Sequence, residues 1–141
     1  MTVESFFDTN ILIYAVDGSE AGTGKKAAAL RLIEREEFGL SAQVLQEFYV
    51  TVTGKLKQPL SPERALALIE RFEKFPLAAV DASLVVLGIR NSLRFQISYW
   101  DGAILAAAER LGARIVYSED LNHGQFYGRL TVINPFLDVP S

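Results

Sequence analysis

The stretch Phe-Phe-Asp-Thr-Asn-Ile-Leu-Ile-Tyr-Ala, residues 6–15, decides how this chain is organised. It continues a short apolar segment, Val3–Phe7, that is typical of a buried strand, and it leads into an apolar helical turn, Ile11–Val16. Asp8 lies at the junction. Ligands of a parallel sheet bind beyond the carboxyl ends of the strands, so a carboxylate there can hold a metal. Asp is equally a favoured helix N-cap, and both roles stay open for this residue alone.

Strand-like and helix-like segments alternate along the rest of the chain. The sequence predicts strands at Val3–Phe7, Phe38–Leu40, Leu77–Val80, Arg114–Tyr117 and Thr131–Ile133. It predicts helices at Ile11–Val16, Lys25–Arg35, Ser41–Lys55, Ser61–Lys74, Asp81–Leu93 and Ser98–Gly112, with a loop at Asp17–Gly24. This alternation indicates an α/β fold with a parallel sheet covered on both faces. We expect one domain over residues 1–141, because no linker or repeat interrupts the pattern.

Composition narrows the classes of function. Half of the residues are apolar, which is enough for a sizeable core, and the absence of cysteine excludes disulfides and thiolate metal sites. We expect a cytoplasmic protein without a signal peptide or membrane span, because no apolar run approaches about 20 residues. The net charge is −3, so binding to nucleic acid would need a bound cation or local basic groups. Lys55, Lys57 and Arg64 form one such group.

Asp101 is the second informative acid. Residues three, four and seven positions beyond it, Ile104, Leu105 and Ala108, are apolar and share its helix face. Asp101 is therefore predicted on the apolar side of its own helix. A capping box with Ser98 as the N-cap is the alternative interpretation. A buried carboxylate needs a partner, however, because an unpaired buried charge is very costly.

Two further acids occupy positions from which they could reach the same cleft. Glu47 flanks the apolar stripe of its predicted helix, a place where most glutamates are simply solvated. Asp120 follows the predicted strand Arg114–Tyr117 as Asp8 follows its own strand. Asp120 could instead cap a turn, and Glu119 beside it could take the same role.

Carboxylates that converge in one cleft repel one another and raise one another's pKa values. A divalent cation relieves this repulsion, and oxygen ligands without a thiolate or histidine cluster favour Mg²⁺ or Mn²⁺. Such an ion activates water and stabilises a phosphoryl oxygen. The acids therefore suggest hydrolysis of a phosphodiester without an amino-acid nucleophile.

Four segments together resemble the motifs of PIN-domain nucleases, and within them the VapC-type toxin ribonucleases. They are Phe7-Asp8-Thr9-Asn10-Ile11-Leu12, Ser41-Ala42-Gln43-Val44-Leu45-Gln46-Glu47-Phe48, Ser98-Tyr99-Trp100-Asp101-Gly102-Ala103-Ile104 and Ser118-Glu119-Asp120-Leu121-Asn122-His123-Gly124. Each motif alone is weakly specific, whereas four in this order are a strong signal. The alignment selects Asp120 over Glu119.

The resemblance implies a three-layer sandwich with a central five-stranded parallel sheet and Mg²⁺-dependent cleavage of RNA by a toxin. It also implies a homodimer and inhibition by a cognate antitoxin protein. By the family pattern Asp8 and Asp101 bind the metal, and Glu47 and Asp120 complete the catalytic set. Thr9 and Ser118 match positions of small hydroxyl residues that support the acids.

Two other functions fit the same sequence. A catalytically inactive PIN-fold binding or regulatory module would keep the fold, with Phe48, Tyr49, Phe72 and Phe75 available for an interface. A receiver-type domain would accept phosphate on Asp8, although no lysine lies near the outlet of the last strand. The sequence leaves open the RNA target and the role of His123, which is the only histidine.

Overall fold

The computed structural model describes residues 2–20 and 23–139. Its centre is a six-stranded sheet with the order β3-β2-β1-β4-β6-β5. The strands are β1 (Ser5–Phe7), β2 (Phe38–Ser41), β3 (Leu77–Ala78), β4 (Ile115–Tyr117), β5 (Phe126–Tyr127) and β6 (Leu130–Ile133). The first four and β6 run parallel, and β5 pairs antiparallel with β6. The α/β fold with a mostly parallel sheet is confirmed.

Six helices are described around this sheet. They are α1 (Thr9–Val16), α2 (Gly24–Arg35), α3 (Ala42–Gly54), α4 (Pro62–Phe72), α5 (Ala82–Phe95) and α6 (Tyr99–Arg110). The hydroxyls of Ser41, Ser61 and Ser98 cap α3, α4 and α6, as the sequence predicts. Within the described part of the chain, no helix is both long enough and apolar enough to cross a membrane.

The structure adds a strand that the sequence analysis did not predict. β5 has only two residues, and its connection to β6 turns at Gly128, whose φ of +64° favours glycine. Two residues carry too little alternation to stand out in a sequence. Within the predicted loop 17–24, Gly18–Glu20 form a 3₁₀ turn and α2 begins at Gly24, while residues 21–22 lie outside the described residues.

The carboxyl ends of β1, β4 and β6 meet at one edge of the sheet. Ser5 pairs with Phe38 and with Ile115, so β1 is central. The backbone continues the ladder past the strand ends, because the Asp8 amide donates to the Tyr117 carbonyl at 3.0 Å. The Ser118 amide donates to the Ile133 carbonyl at 3.1 Å. Residues that follow these strands are therefore held side by side.

The interior contains the apolar residues predicted on α6 and two aromatic residues predicted for an interface. Ile104, Leu105 and Ala108 are buried, as the sequence predicts, and burial extends over the whole stretch Gly102–Ala108. Phe48 and Phe72 are buried and pack against each other, with ring centroids 5.4 Å apart. Those two aromatic rings are therefore part of the core and are not available for an interface.

Helices α5 and α6 approach each other closely where Gly88 of α5 faces Gly102 of α6. A Cβ added to Gly102 would clash with the Gly88 carbonyl and press on the Ser92 amide, which are both backbone groups. The Asn91 side-chain amide also donates to the Gly102 carbonyl at 3.0 Å. The contact between the two helices therefore requires the absence of a side chain at residue 102.

We expect Gly102→Ala to lower the free energy of unfolding by about 1–3 kcal/mol, because the backbone of α5 must move to accept a methyl group. Urea denaturation followed by circular dichroism measures this change. Gly54→Ala is the matched control, since a Cβ there meets nothing within 4 Å and α3 gains up to about 1 kcal/mol from its helix propensity. Equal stability of the two variants would contradict this description of the α5–α6 contact.

Candidate metal centre

Asp8 lies between the end of β1 and the start of α1, at the strand end where the sequence predicts it. Its Oδ1 accepts a hydrogen bond from the Thr9 amide at 2.7 Å, so it caps α1. Its Oδ2 accepts from the Ser118 hydroxyl at 2.7 Å. The residue is only 4% exposed, and burial raises the pKa of Asp8 to about 7 despite these two hydrogen bonds.

Ser118 links two of the predicted site residues. Its hydroxyl donates to Asp8 and accepts from the Asp120 amide at 3.1 Å. The Asn10 side-chain amide donates to Asp120 Oδ2 at 3.4 Å, so the Asp120 carboxylate is also held toward the end of β1. This places the acids that follow β1 and β4 in one cluster. The serine is fully buried, and its position in the family motif made it a supporting candidate from the sequence.

Glu47 and Asp101 come to the cluster from α3 and from the first turn of α6. Gln43 connects the two helices, because its Nε2 donates to Glu47 Oε1 at 3.1 Å and to the Trp100 carbonyl at 3.2 Å. Gln43 is buried and was not identified from the sequence. Its position four residues before Glu47, on the same helix face, was the available signal.

The structure separates Asp120 from its neighbour Glu119. Glu119 accepts a hydrogen bond from the Tyr14 hydroxyl at 2.8 Å and forms an ion pair with Lys25 at 3.2 Å. The Glu119 carboxylate is therefore already engaged in an ion pair. Asp120 instead acts on Asp8 and Glu47, whose pKa values it helps to raise.

The four acids influence one another through space. The pKa of Glu47 is raised first by partial loss of water around its carboxylate and then by Asp120 and Asp101. The pKa of Asp120 is raised by desolvation, then by Asp101 and Glu119. The two ion pairs found among residues 2–20 and 23–139 are Lys25–Glu119 and Arg110–Asp81, and neither reaches these acids. The cluster thus concentrates negative charge that no ion pair in the described part of the chain neutralises.

The donor atoms of this cluster suit a hard divalent cation, since they are carboxylate oxygens around a buried acid. Asn10 Oδ1 is also buried and has no hydrogen-bond partner in the part of the chain described. As the side chains are positioned, however, no group of three or more acidic or histidine residues in that part is arranged to hold a metal ion directly. The metal ligands that the resemblance implies, Asp8 and Asp101, therefore stay a prediction.

His123 lies on the loop after Asp120 and has a structural contact. Its Nδ1 accepts a hydrogen bond from the Asn134 amide at 3.0 Å, so it ties this loop to the segment after β6. We therefore assign His123 to holding the loop.

The protein has an α/β fold with a mostly parallel sheet, and an acidic cluster lies at the carboxyl ends of the strands. This is the end of such a sheet at which ligands bind. The PIN domain model matches residues 5–128, which is most of the chain. The chain belongs to the PIN domain family. No curated protein sequence matches it significantly.

Several solved structures with a similar fold come from toxins and toxin-antitoxin complexes. A toxin-antitoxin complex from Klebsiella pneumoniae has a TM-score of 0.67 at 18% identity and covers 94% of this chain and 98% of that one. VapC20 of Mycobacterium tuberculosis, a toxin that cleaves the sarcin-ricin loop, has a TM-score of 0.64 at 19% identity, covering 83% and 90%. DNA-bound VapBC from Salmonella typhimurium has a TM-score of 0.63 at 16% identity, covering 93% and 97%. At these identities the likeness shows the fold.

The buried Asp8 carboxylate predicts a stability change on substitution. The folded protein binds this proton more tightly than the unfolded chain, so the free energy of unfolding falls as the pH rises from 3.8 to about 7. Asp8→Asn removes the ionisation. Its amide oxygen can still accept from the Thr9 amide, and its NH2 group can donate to the Ser118 hydroxyl oxygen, which reverses the direction of that hydrogen bond. In metal-free buffer near about pH 8 we expect the variant to be more stable by on the order of 2 kcal/mol, with a smaller difference near about pH 5.

Asp81→Asn is the matched control for this measurement. Asp81 is also an N-cap, accepting from the Leu84 amide, but the Arg110 guanidinium beside it lowers the pKa of Asp81 to about 2. Its carboxylate therefore stabilises the fold at neutral pH, and its neutralisation should lower the melting temperature. Melting curves of both variants, recorded with EDTA, test whether each substitution raises or lowers the melting temperature. A lower melting temperature for Asp8→Asn at about pH 8 would contradict the assigned burial cost.

Proposed function

We propose that this protein is a Mg²⁺-dependent endoribonuclease, the toxin of a toxin–antitoxin pair, and that Mn²⁺ can replace Mg²⁺. The observation that carries the proposal is the cluster of Asp8, Glu47, Asp101 and Asp120. Burial and neighbouring acids raise the pKa values of Asp8, Glu47 and Asp120, and neither ion pair among residues 2–20 and 23–139 involves the cluster. Structural networks of acids are normally neutralised by lysine or arginine. An acidic cluster left without a cation is instead what a metal-dependent hydrolase requires.

The protein side chains would take distinct roles in this reaction. Asp8 and Asp101 would hold the cation, which supplies an activated water and stabilises charge on the phosphate. Ser118 keeps the Asp8 carboxylate oriented, and Gln43 does the same for Glu47. Glu47 and Asp120 would orient the attacking water. Because the pKa values of both are raised, either carboxylate is a better proton acceptor than a free one.

The expected partners follow from the solved relatives and from the surface. Several structures with this fold were crystallised as toxin-antitoxin complexes, which supports a cognate antitoxin as the intracellular inhibitor. A homodimer is supported by helix α5, which leaves Val86, Ile89 and Leu93 exposed, Leu93 by 75%.

Cleavage of RNA by purified protein tests the proposed activity. The wild-type protein should cleave with Mg²⁺ or Mn²⁺ and should lose activity with EDTA. Asp8→Asn and Asp101→Asn should each lower kcat/KM by roughly 100-fold or more, because a metal ligand contributes several kcal/mol to transition-state stabilisation.

Asp81→Asn serves as the control, because it neutralises an acid that is engaged with Arg110 away from the cluster. It should retain cleavage. Wild-type activity in the Asp8 variant, or undiminished cleavage with EDTA, would overturn the proposal. Calorimetry with Mn²⁺ adds an independent measurement. A folded wild-type protein that binds no metal and cleaves no RNA would favour an inactive binding module.

A further inference from the structure

Trp100 is the most unusual exposed side chain near the acidic cluster. It precedes Asp101 in the first turn of α6, and it is 64% exposed although large aromatic rings usually contribute to a core. Its backbone is fixed, since its carbonyl accepts a hydrogen bond from the buried Gln43. Its ring makes an edge-to-face contact with Tyr99 at a centroid distance of 5.1 Å. The indole is therefore held in place while one face stays open.

A recess of about 330 Å³ lies between this indole and helix α3. Its wall from α3 includes Gln46, Glu47 and Lys55. Glu47 belongs to the acidic cluster, so the recess opens directly beside the proposed cleavage site. The recess thus combines an aromatic surface, an amide side chain and a cation next to the acids.

Glu47 and Lys55 line the recess at different points along α3 and its C-cap. They are eight residues apart, which is about 12 Å at the helical rise. Successive phosphates of a stacked strand are separated by about 3.4 Å along the axis, so this distance spans several nucleotides. Neither of the two ion pairs in the described ranges engages Lys55, which leaves its charge available.

We propose that this recess binds a nucleobase of single-stranded RNA beside the scissile phosphate. The base stacks on Trp100, the Gln46 amide bonds its edge, and Lys55 neutralises a phosphate further along the strand. This inference rests on the proposed ribonuclease function and specifies its substrate as unpaired RNA. A chain with a net charge of −3 needs such a local contact, because its overall charge repels RNA. Stacking tolerates any base, and the amide provides discrimination between bases.

Trp100 is the only tryptophan, so its fluorescence reports directly on the recess. The experiment titrates wild-type protein with a single-stranded RNA of about ten nucleotides, in EDTA so that no cleavage occurs. Stacking should quench the fluorescence along a saturable curve. Binding of the same RNA, measured by anisotropy of an attached dye, should saturate over the same concentrations. Unchanged tryptophan emission at saturating RNA would overturn the proposal and leave the indole to a protein partner.

Substitutions measure the two contacts separately. Trp100→Ala should weaken RNA binding by roughly 5- to 100-fold, and Trp100→Phe should recover part of this loss. Lys55→Met should reduce the slope of log affinity against log salt by about 0.7, as expected for one lost phosphate contact to a single strand. In cleavage assays Trp100→Ala and Lys55→Met should each raise KM more than they lower kcat.

Matched control residues are available away from the recess. Phe126 is an aromatic residue that is 70% exposed on β5, and it pairs with Thr131 at the amino end of β6. Lys74 is an exposed lysine in the turn between α4 and β3, and it does not line the recess. Phe126→Ala and Lys74→Met should leave both binding and KM unchanged. If Phe126→Ala weakens binding as much as Trp100→Ala does, the assignment of the recess is wrong.

The outcomes separate this inference from the proposed function. Metal-dependent cleavage with an unaltered KM in Trp100→Ala would reject the recess and retain the ribonuclease. Saturable quenching of Trp100 by RNA without any cleavage would retain the recess as a binding site and reject the ribonuclease.

Discussion

The burial of one carboxylate is the constraint on which this structure depends. Asp8 ends the central strand β1, caps α1 and is 4% exposed, so its negative charge is held away from water. Among residues 2–20 and 23–139, its hydrogen-bond donors are the Ser118 hydroxyl and the Thr9 amide, which are both neutral. Neutral donors orient a carboxylate without cancelling its charge. The ionised form of Asp8 therefore destabilises the fold, and burial raises the pKa of Asp8 to about 7.

The neighbouring contacts maintain the same arrangement. Lys25 lies near enough to the strand ends to pair with an acid, yet it pairs with Glu119 and its ammonium lies over the Tyr14 ring. Because Lys25 and Glu119 pair with each other, neither charge is left to interact with the acidic cluster as a free ion. Asp120, the next residue, remains without an ion pair and is held through Ser118 and Asn10. A difference of one residue along the chain thus separates a structural acid from a candidate catalytic one.

The order of strands and helices could be predicted from the sequence because parallel strands and amphipathic helices leave long-range patterns. Asp8 and Asp120 could be placed at one edge because both follow strands. Other features depend on packing and leave weak patterns. The buried residues Ile104, Leu105 and Ala108 of α6 could be predicted from their spacing, whereas the burial of the whole stretch Gly102–Ala108 could not. Gln43 was missed because its role depends on α6 reaching α3, and β5 was missed because two residues show no periodicity.

The two outermost strands of the sheet, β3 and β5, are each only two residues long. A short edge strand presents few free amide and carbonyl groups, so a second molecule gains little by adding its own strand there. The sheet is consequently protected from edge-to-edge growth. The exposed apolar side chains of helix α5 offer a second molecule more contact area than either edge strand does.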